Sequence, residues 1–105
     1  EQARVLPVSD KFIDAARAVG AALVAAGLRA EVDDRNEKLG ARIRDGELAR
    51  VPVLLVVGGR EAQAGGASVR VRHRGDLGTM TLDTIIEAMK ATIATRDVNP
   101  WPEAS

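Results

Sequence analysis

The run Val51 to Val57 (VPVLLVV) limits what this chain can fold into more than any other stretch. It is apolar almost without interruption and rich in β-branched residues, with Pro52 near its start and Gly58-Gly59 at its end. Breakers this close together leave no room for a buried helix, whereas a strand covered on both faces needs no polar alternation. Such a strand requires helices above and below it, and so implies an α/β layered domain. The same run is far shorter than the roughly 20 apolar residues of a membrane helix.

The flanking patterns supply the layers. Arg4 to Val8 (RVLPV) reads as an early or edge strand, with Pro7 near its end where a missing donor is tolerated. Ser9 is then placed as an N-cap, with Val8 and Ile13 as a hydrophobic staple and Asp10 in the first turn. Phe12, Ala16, Val19 and Leu23 form one stripe of helical period, and Gly27 is placed to end that helix. Leu28 to Asp33 alternates as a half-buried strand, and strand, helix, strand in this order implies a crossover between parallel strands. Asn36 is expected to cap a second helix running to about Ala49, which Gly46 weakens; Lys38, Arg42 and Asp45 share a face of it away from Ile43.

Beyond the central run, Gly59 to Ala67 reads as a connection. Ser68 to Arg72 (SVRVR) alternates strictly, with Val69 and Val71 on one side and Ser68, Arg70 and Arg72 on the other. Arg74, Gly75, Asp76 and Gly78 read as a loop leading to Thr81, an N-cap with Met80 and Ile85 as staple. Leu82, Ile85, Ile86, Met89 and Ile93 mark the clearest amphipathic helix of the chain. Asn99-Pro-Trp-Pro is irregular, and Trp101 is expected in a linker. The expectation is one domain over residues 1–98 with a tail over 99–105, built on a mixed sheet of about four or five strands.

Composition narrows the function. With no cysteine there is neither a disulfide framework nor a thiolate metal site. No signal-peptide pattern opens the chain, so a cytoplasmic protein with no membrane association is expected, and the first residue, Glu1, suggests a piece of a longer polypeptide. Net charge is zero, yet residues 35–74 hold nine basic against four acidic residues. One basic surface of that kind suits a phosphate-rich partner, although arginines that merely solvate a helix face would give the same count.

Catalytic groups are hard to assemble. His73 is the only histidine and is best read as a solvent-facing or hydrogen-bonded residue at a strand end. Asp33 and Asp34 are adjacent in a strand and point to opposite faces, so they share no acid–base chemistry. Neither glycine pair makes the GxGxxG phosphate loop. Only Phe12 and Trp101 are aromatic, so a nucleic acid would be read by arginines, a carboxylate and an amide rather than by stacking.

Four segments carry a resemblance: AEVDDRNEKLG from Ala30 to Gly40, IRDGELARVPVLLVVGGRE from Ile43 to Glu61, SVRVRHRGDLG from Ser68 to Gly78, and TMTLDTIIEAM from Thr79 to Met89. Together they closely resemble the C-terminal anticodon-binding domain of class II aminoacyl-tRNA synthetases, most like the threonyl-tRNA synthetases, over about Val5 to Thr95. The resemblance implies a single α/β domain: a mixed, largely parallel five-stranded sheet flanked by three helices. It implies binding of a threonine tRNA through its anticodon loop, with base contacts at Asn36, Arg50, Glu61 and Arg70 and backbone or loop contacts at Arg35, Lys38, Arg42 and Arg72. No catalytic or metal-ligating residue is implied in this chain. Threonine ligation, with ATP, magnesium and zinc, would belong to the catalytic domain of a parent synthetase, itself expected to be a homodimer. Val53 departs from the family, which often carries an aromatic residue there. A stand-alone or accessory protein-interaction or dimerisation module that kept the fold without reading anticodons is the alternative.

Overall fold

Val53–Val57 forms the third and central strand, β3, of a five-stranded sheet. The computed structural model describes residues 2–95 and Trp101, without the side chains of residues 93–95. The chain runs through β1 (Ala3–Pro7), α1 (Ile13–Ala25), β2 (Ala30–Val32), α2 (Leu39–Leu48), β3, α3 (Gly59–Ala64), β4 (Gly66–Val71), β5 (Gly75–Thr81) and α4 (Leu82–Thr95). Strand order is β2-β1-β3-β4-β5. The β1–β2 and β1–β3 ladders are parallel; β3–β4 and β4–β5 are antiparallel. The sheet is thus mixed, with each kind of pairing in one half.

The two crossovers place helices on opposite faces. α1 steps from β1 outward to β2, and α2 steps back over β1 to β3; steps in opposite directions with one handedness require opposite faces. On one face Val5, Val53, Leu55, Val57, Ala67, Val69 and Val71 pack with Ala16, Val19 and Leu23 of α1 and Ile85, Ala88 and Met89 of α4. On the other, Leu6, Val51, Leu54 and Val56 pack with Leu39 and Ile43 of α2. The first core is the larger: α1 and α4 both pack into it, whereas among the described residues the second receives apolar side chains from α2 alone of the helices.

Local chemistry accounts for the helix ends. α1 closes in a Schellman motif: Leu28 N–H reaches Leu23 O at 3.0 Å and Gly27 N–H reaches Val24 O at 2.9 Å, with Gly27 at φ +89°. Its start is less direct than the Ser9 cap implied. Ser9 is extended and makes no side-chain cap bond; a 3-10 turn over Asp10–Phe12 precedes the α-helix. Thr81 does cap α4, its Oγ1 accepting the Thr84 N–H at 3.4 Å, and Met80 and Ile85 both enter the core.

Five further expectations of the fold change. Asn36 is not a cap: α2 begins at Leu39 behind an extended Lys38. Gly46 serves the packing it seemed to weaken, since a Cβ there would stand 2.7 Å from Leu54 Cδ2, so its absence lets α2 lie close on β3. The connection after β3 contains α3, which makes four α-helices among the described residues where three were expected. The Arg74 to Gly78 loop is largely strand: Val69 pairs with Gly78 and Arg70 with Asp76, so Leu77 is an extra, bulged residue that turns into the core.

Trp101 is the fifth. It is 3% exposed and belongs to the larger core, beside a small cleft lined by Gln2, Pro52, Val53, Met89 and Thr92. Arg74 Nη1 donates to its carbonyl at 3.0 Å. The rest of the expected 99–105 tail lies outside the described residues. As the sole tryptophan, Trp101 should emit in the blue range of a buried indole. Trp101→Ala should lower unfolding stability by about 3 kcal/mol in a urea melt followed by circular dichroism, where a linker residue would change it by less than about 0.5 kcal/mol.

Candidate nucleic-acid interface

The register draws the interface. Across the α2 side of the sheet one row runs Leu6, Val56, Ser68, Thr79 and the next runs Arg4, Leu54, Arg70, Asp76. Both rows pass from an apolar residue on β3, Val56 or Leu54, to polar residues on β4 and β5, where the cover of α2 ends. Arg70 therefore stands on an open half-face, its side chain 38% exposed and 4.0 Å from an Asp76 oxygen, at the limit of an ion pair. Its planar fork of donors stays available for a bidentate partner.

Glu61 joins this face from α3. Its Oε1 accepts the Gly58 N–H at 2.8 Å, and its Oε2 accepts from the Thr79 hydroxyl at 3.4 Å. One oxygen is thus committed to the N-terminus of α3, which fixes the carboxylate, while the other faces the polar row with lone-pair capacity to spare. A cleft of about 250 Å³ opens on the same side, lined by Glu47, Val51, Leu54, Arg70, Arg72 and His73.

Arg50 ends α2, next in the chain to Val51, which lines that cleft. The helix closes in a second Schellman motif, with Val51 N–H on Gly46 O and Arg50 N–H on Glu47 O, both at 3.0 Å. Arg50 holds the left-handed C′ position at φ 60°, where glycine is the usual residue. An arginine there costs about 1 kcal/mol of backbone strain, and its side chain has no partner among the described residues. The side chains of Asn36, Lys38, Arg50 and Arg72 make no hydrogen bond or ion pair to any described residue, and all four residues are exposed.

At the other end of α2, about 15 Å away for a helix of ten residues, the loop after β2 carries Asn36. Asp33 receives a two-pronged contact from Arg35, Nε to Oδ1 at 2.8 Å and Nη2 to Oδ2 at 2.9 Å, and Arg35 Nη2 also reaches Asp45 Oδ2 at 2.8 Å. The Arg35 hydrogen bond holds the Asp33 carboxyl below its ordinary range, against an opposing push from burial. The two carboxylates in turn raise the Arg35 guanidinium, Asp33 more than Asp45. Asn36 lines a separate cleft of about 220 Å³ with Val8, Ser9, Asp10, Glu37 and Arg42, at the carboxyl end of β1.

Arg42 departs from its expected place. It is 3% exposed, its Nε donating to Glu37 O at 3.1 Å and its Nη1 to Asp33 O at 3.0 Å. A guanidinium turned inward onto main-chain carbonyls does not lie on the solvent face that the helical spacing gave it. The structure thus gathers Glu61, Arg70 and Arg72 along one face, sets Arg50 at the carboxyl end of α2 and Asn36 and Lys38 before its amino end, and turns Arg42 inward. Sequence reasoning overlooked Thr79, whose place opposite Ser68 follows from the Thr79-Met80-Thr81 alternation, and Asp33 as the anchor of Arg35, signalled by their spacing. Among the described residues no cluster of metal-ligating side chains forms, and no helix is long and apolar enough to cross a membrane.

Comparison with known proteins gives concordant matches. The family model for an anticodon binding domain matches residues 2–92. The threonine–tRNA ligase of Thermus thermophilus is 50% identical over 99 residues, 94% of this chain, and that of Caldanaerobacter subterraneus is 46% identical over 95 residues, 90% of the chain. In each case the match spans 15% of the relative's own length. The RNA-binding domain of threonyl-tRNA synthetase from Cryptosporidium parvum superposes with a TM-score of 0.81 at 27% identity, covering 87% of this chain and 23% of that one. Histidyl-tRNA synthetase from a Nostoc species shares the fold at a TM-score of 0.78 and 20% identity, over 88% of this chain and 22% of that one.

The backbone strain at Arg50 has a measurable side. Arg50→Gly should raise stability by about 1 kcal/mol, read as a higher urea midpoint at unchanged m-value. A loss of stability would show that the arginine makes a compensating contact.

Proposed function

Because the chain belongs to the anticodon binding domain family, we propose that it recognises the anticodon loop of a threonine tRNA as a module of a threonine–tRNA ligase. The observation that carries this reading is the half-open sheet face, where Arg70 and a fixed Glu61 stand on one polar surface left uncovered by α2. An arginine fork pairs with the Hoogsteen edge of guanine, and a carboxylate accepts from Watson–Crick N–H groups. The unpaired amide of Asn36 reads a base through donor and acceptor together. Arg50 contributes a further base contact from the end of α2, and Lys38, Arg72 and Arg35 contact the backbone or loop. Arg35 does so with its charge already balanced by Asp33 and Asp45.

The chain spans about 15% of the length of the ligases it matches. Joining threonine to its tRNA, and the ATP, magnesium and zinc that serve it, are assigned to a catalytic domain outside this chain, in a cytoplasmic homodimer. What this chain supplies is affinity and discrimination at the far end of the tRNA.

Binding of an RNA hairpin bearing a threonine anticodon should weaken steeply with salt, as phosphate contacts require. Arg70→Ala and Glu61→Ala should each cost about 1–3 kcal/mol and relax discrimination against a hairpin with substituted anticodon bases. Arg50→Gly should weaken binding even as it stabilises the fold. Equal binding of both hairpins, unchanged by the Arg70 and Glu61 substitutions, would overturn the reading in favour of a protein-interaction module.

A further inference from the structure

Arg42 is a costly residue for the fold alone. Its guanidinium is buried and hydrogen-bonded to two main-chain carbonyls; among the described residues no carboxylate comes within ion-pairing distance, although the Asp33 carboxylate feels its charge. Burying a charge without a direct ion-pair partner costs free energy unless the geometry repays it, and an apolar side chain of similar volume is generally cheaper. What the guanidinium achieves is specific. Its two bonds go to Asp33 O and Glu37 O, which bracket Asp34, Arg35 and Asn36. The loop is gripped at both ends from within, while Asn36 stands between them exposed, its amide without a partner among the described residues.

We propose that Arg42 is a positioning residue for Asn36: the guanidinium fork fixes the backbone on both sides of the loop so that the Asn36 amide meets its base in one orientation. This rests on the reading of Asn36 as a base contact. A planar fork can span two carbonyls that the compact ammonium of lysine cannot hold together in the same geometry. Ordering the loop before RNA arrives removes an entropic cost from binding, and that gain goes to the RNA that fits Asn36.

The test is a binding cycle with Arg42→Met, Asn36→Ala and the double variant, measured on the threonine-anticodon hairpin and on one with substituted anticodon bases, across a range of salt. Arg42→Met should reduce discrimination about tenfold, comparably to Asn36→Ala, with the salt slope unchanged. In the Asn36→Ala background its effect should vanish. Arg42→Lys, which keeps the charge and the packed stem, should behave like Arg42→Met and serves if the methionine variant folds poorly. Amides of residues 34–37 should exchange faster in both Arg42 variants while those of β3 remain protected.

A salt slope reduced by about one, with both hairpins weakened alike, would make Arg42 a phosphate contact and overturn the proposal. So would an Arg42 effect that persists undiminished without Asn36. If Asn36→Ala alone changes nothing, the reading of Asn36 fails and the proposal with it; if Asn36→Ala matters and Arg42→Met does not, the proposal alone fails.

Discussion

Burial of β3 on both faces is the constraint on which the other features depend. Leu55 and Val57 face α1, while Leu54 and Val56 face α2. A strand apolar on both sides must be covered twice, but the sheet is wider than α2. α1 and α4 together cover one face across its breadth; α2 covers only β1 and β3 on the other. The remaining half-face of β4 and β5 is left to solvent, and its sequence has adapted with Ser68, Arg70, Asp76 and Thr79 in two rows. The open surface is the geometric remainder of a core requirement, and it lies where a rigid sheet can hold an arginine and a carboxylate in fixed relation.

α2 is the hinge between core and surface in a second sense. Its two ends carry features that a stability-only design would avoid: a left-handed arginine at Arg50 and the inward guanidinium of Arg42, which grips the loop before the helix starts. Each departs from what local propensity favours, and departures of this kind concentrate where function selects against the cheapest solution. Gly46, between them, lets the helix lie close enough to Leu54 for both ends to be held rigidly. The ten-residue helix thereby fixes the separation of its two flanking groups, Asn36 before it and Arg50 after it.

Periodicity made much of this legible. The Val51 to Val57 run, the Phe12 to Leu23 stripe and the Leu82 to Met89 stripe each specify an element without reference to the rest of the chain, and the quoted segments carried the family resemblance. What periodicity missed had physical causes. β5 was hidden because the bulge at Leu77 interrupts alternation and because Gly75, Asp76 and Gly78 resemble turn residues. α3 was too short to show a stripe. Trp101 looked like a linker residue because prolines flank it, and only the core it enters shows otherwise. Arg42 lay on a helix face that a wheel assigns to solvent, yet a loop folded back over that face and enclosed it. Long-range packing decided those positions, and no local pattern encodes it.

The central claim is that RNA is met by the half-face that α2 leaves open and by the two ends of α2. The most direct measurement is a backbone amide shift map of this chain by nuclear magnetic resonance during titration with a threonine-anticodon hairpin. The account predicts that shifts concentrate in residues 34–38, 47–50, 60–61, 68–72 and 76–79, with the outward residues of α1, such as Ala18, Ala21 and Ala25, unmoved. Shifts centred on α1 and α4, with Ser68 to Arg72 unchanged, would contradict it.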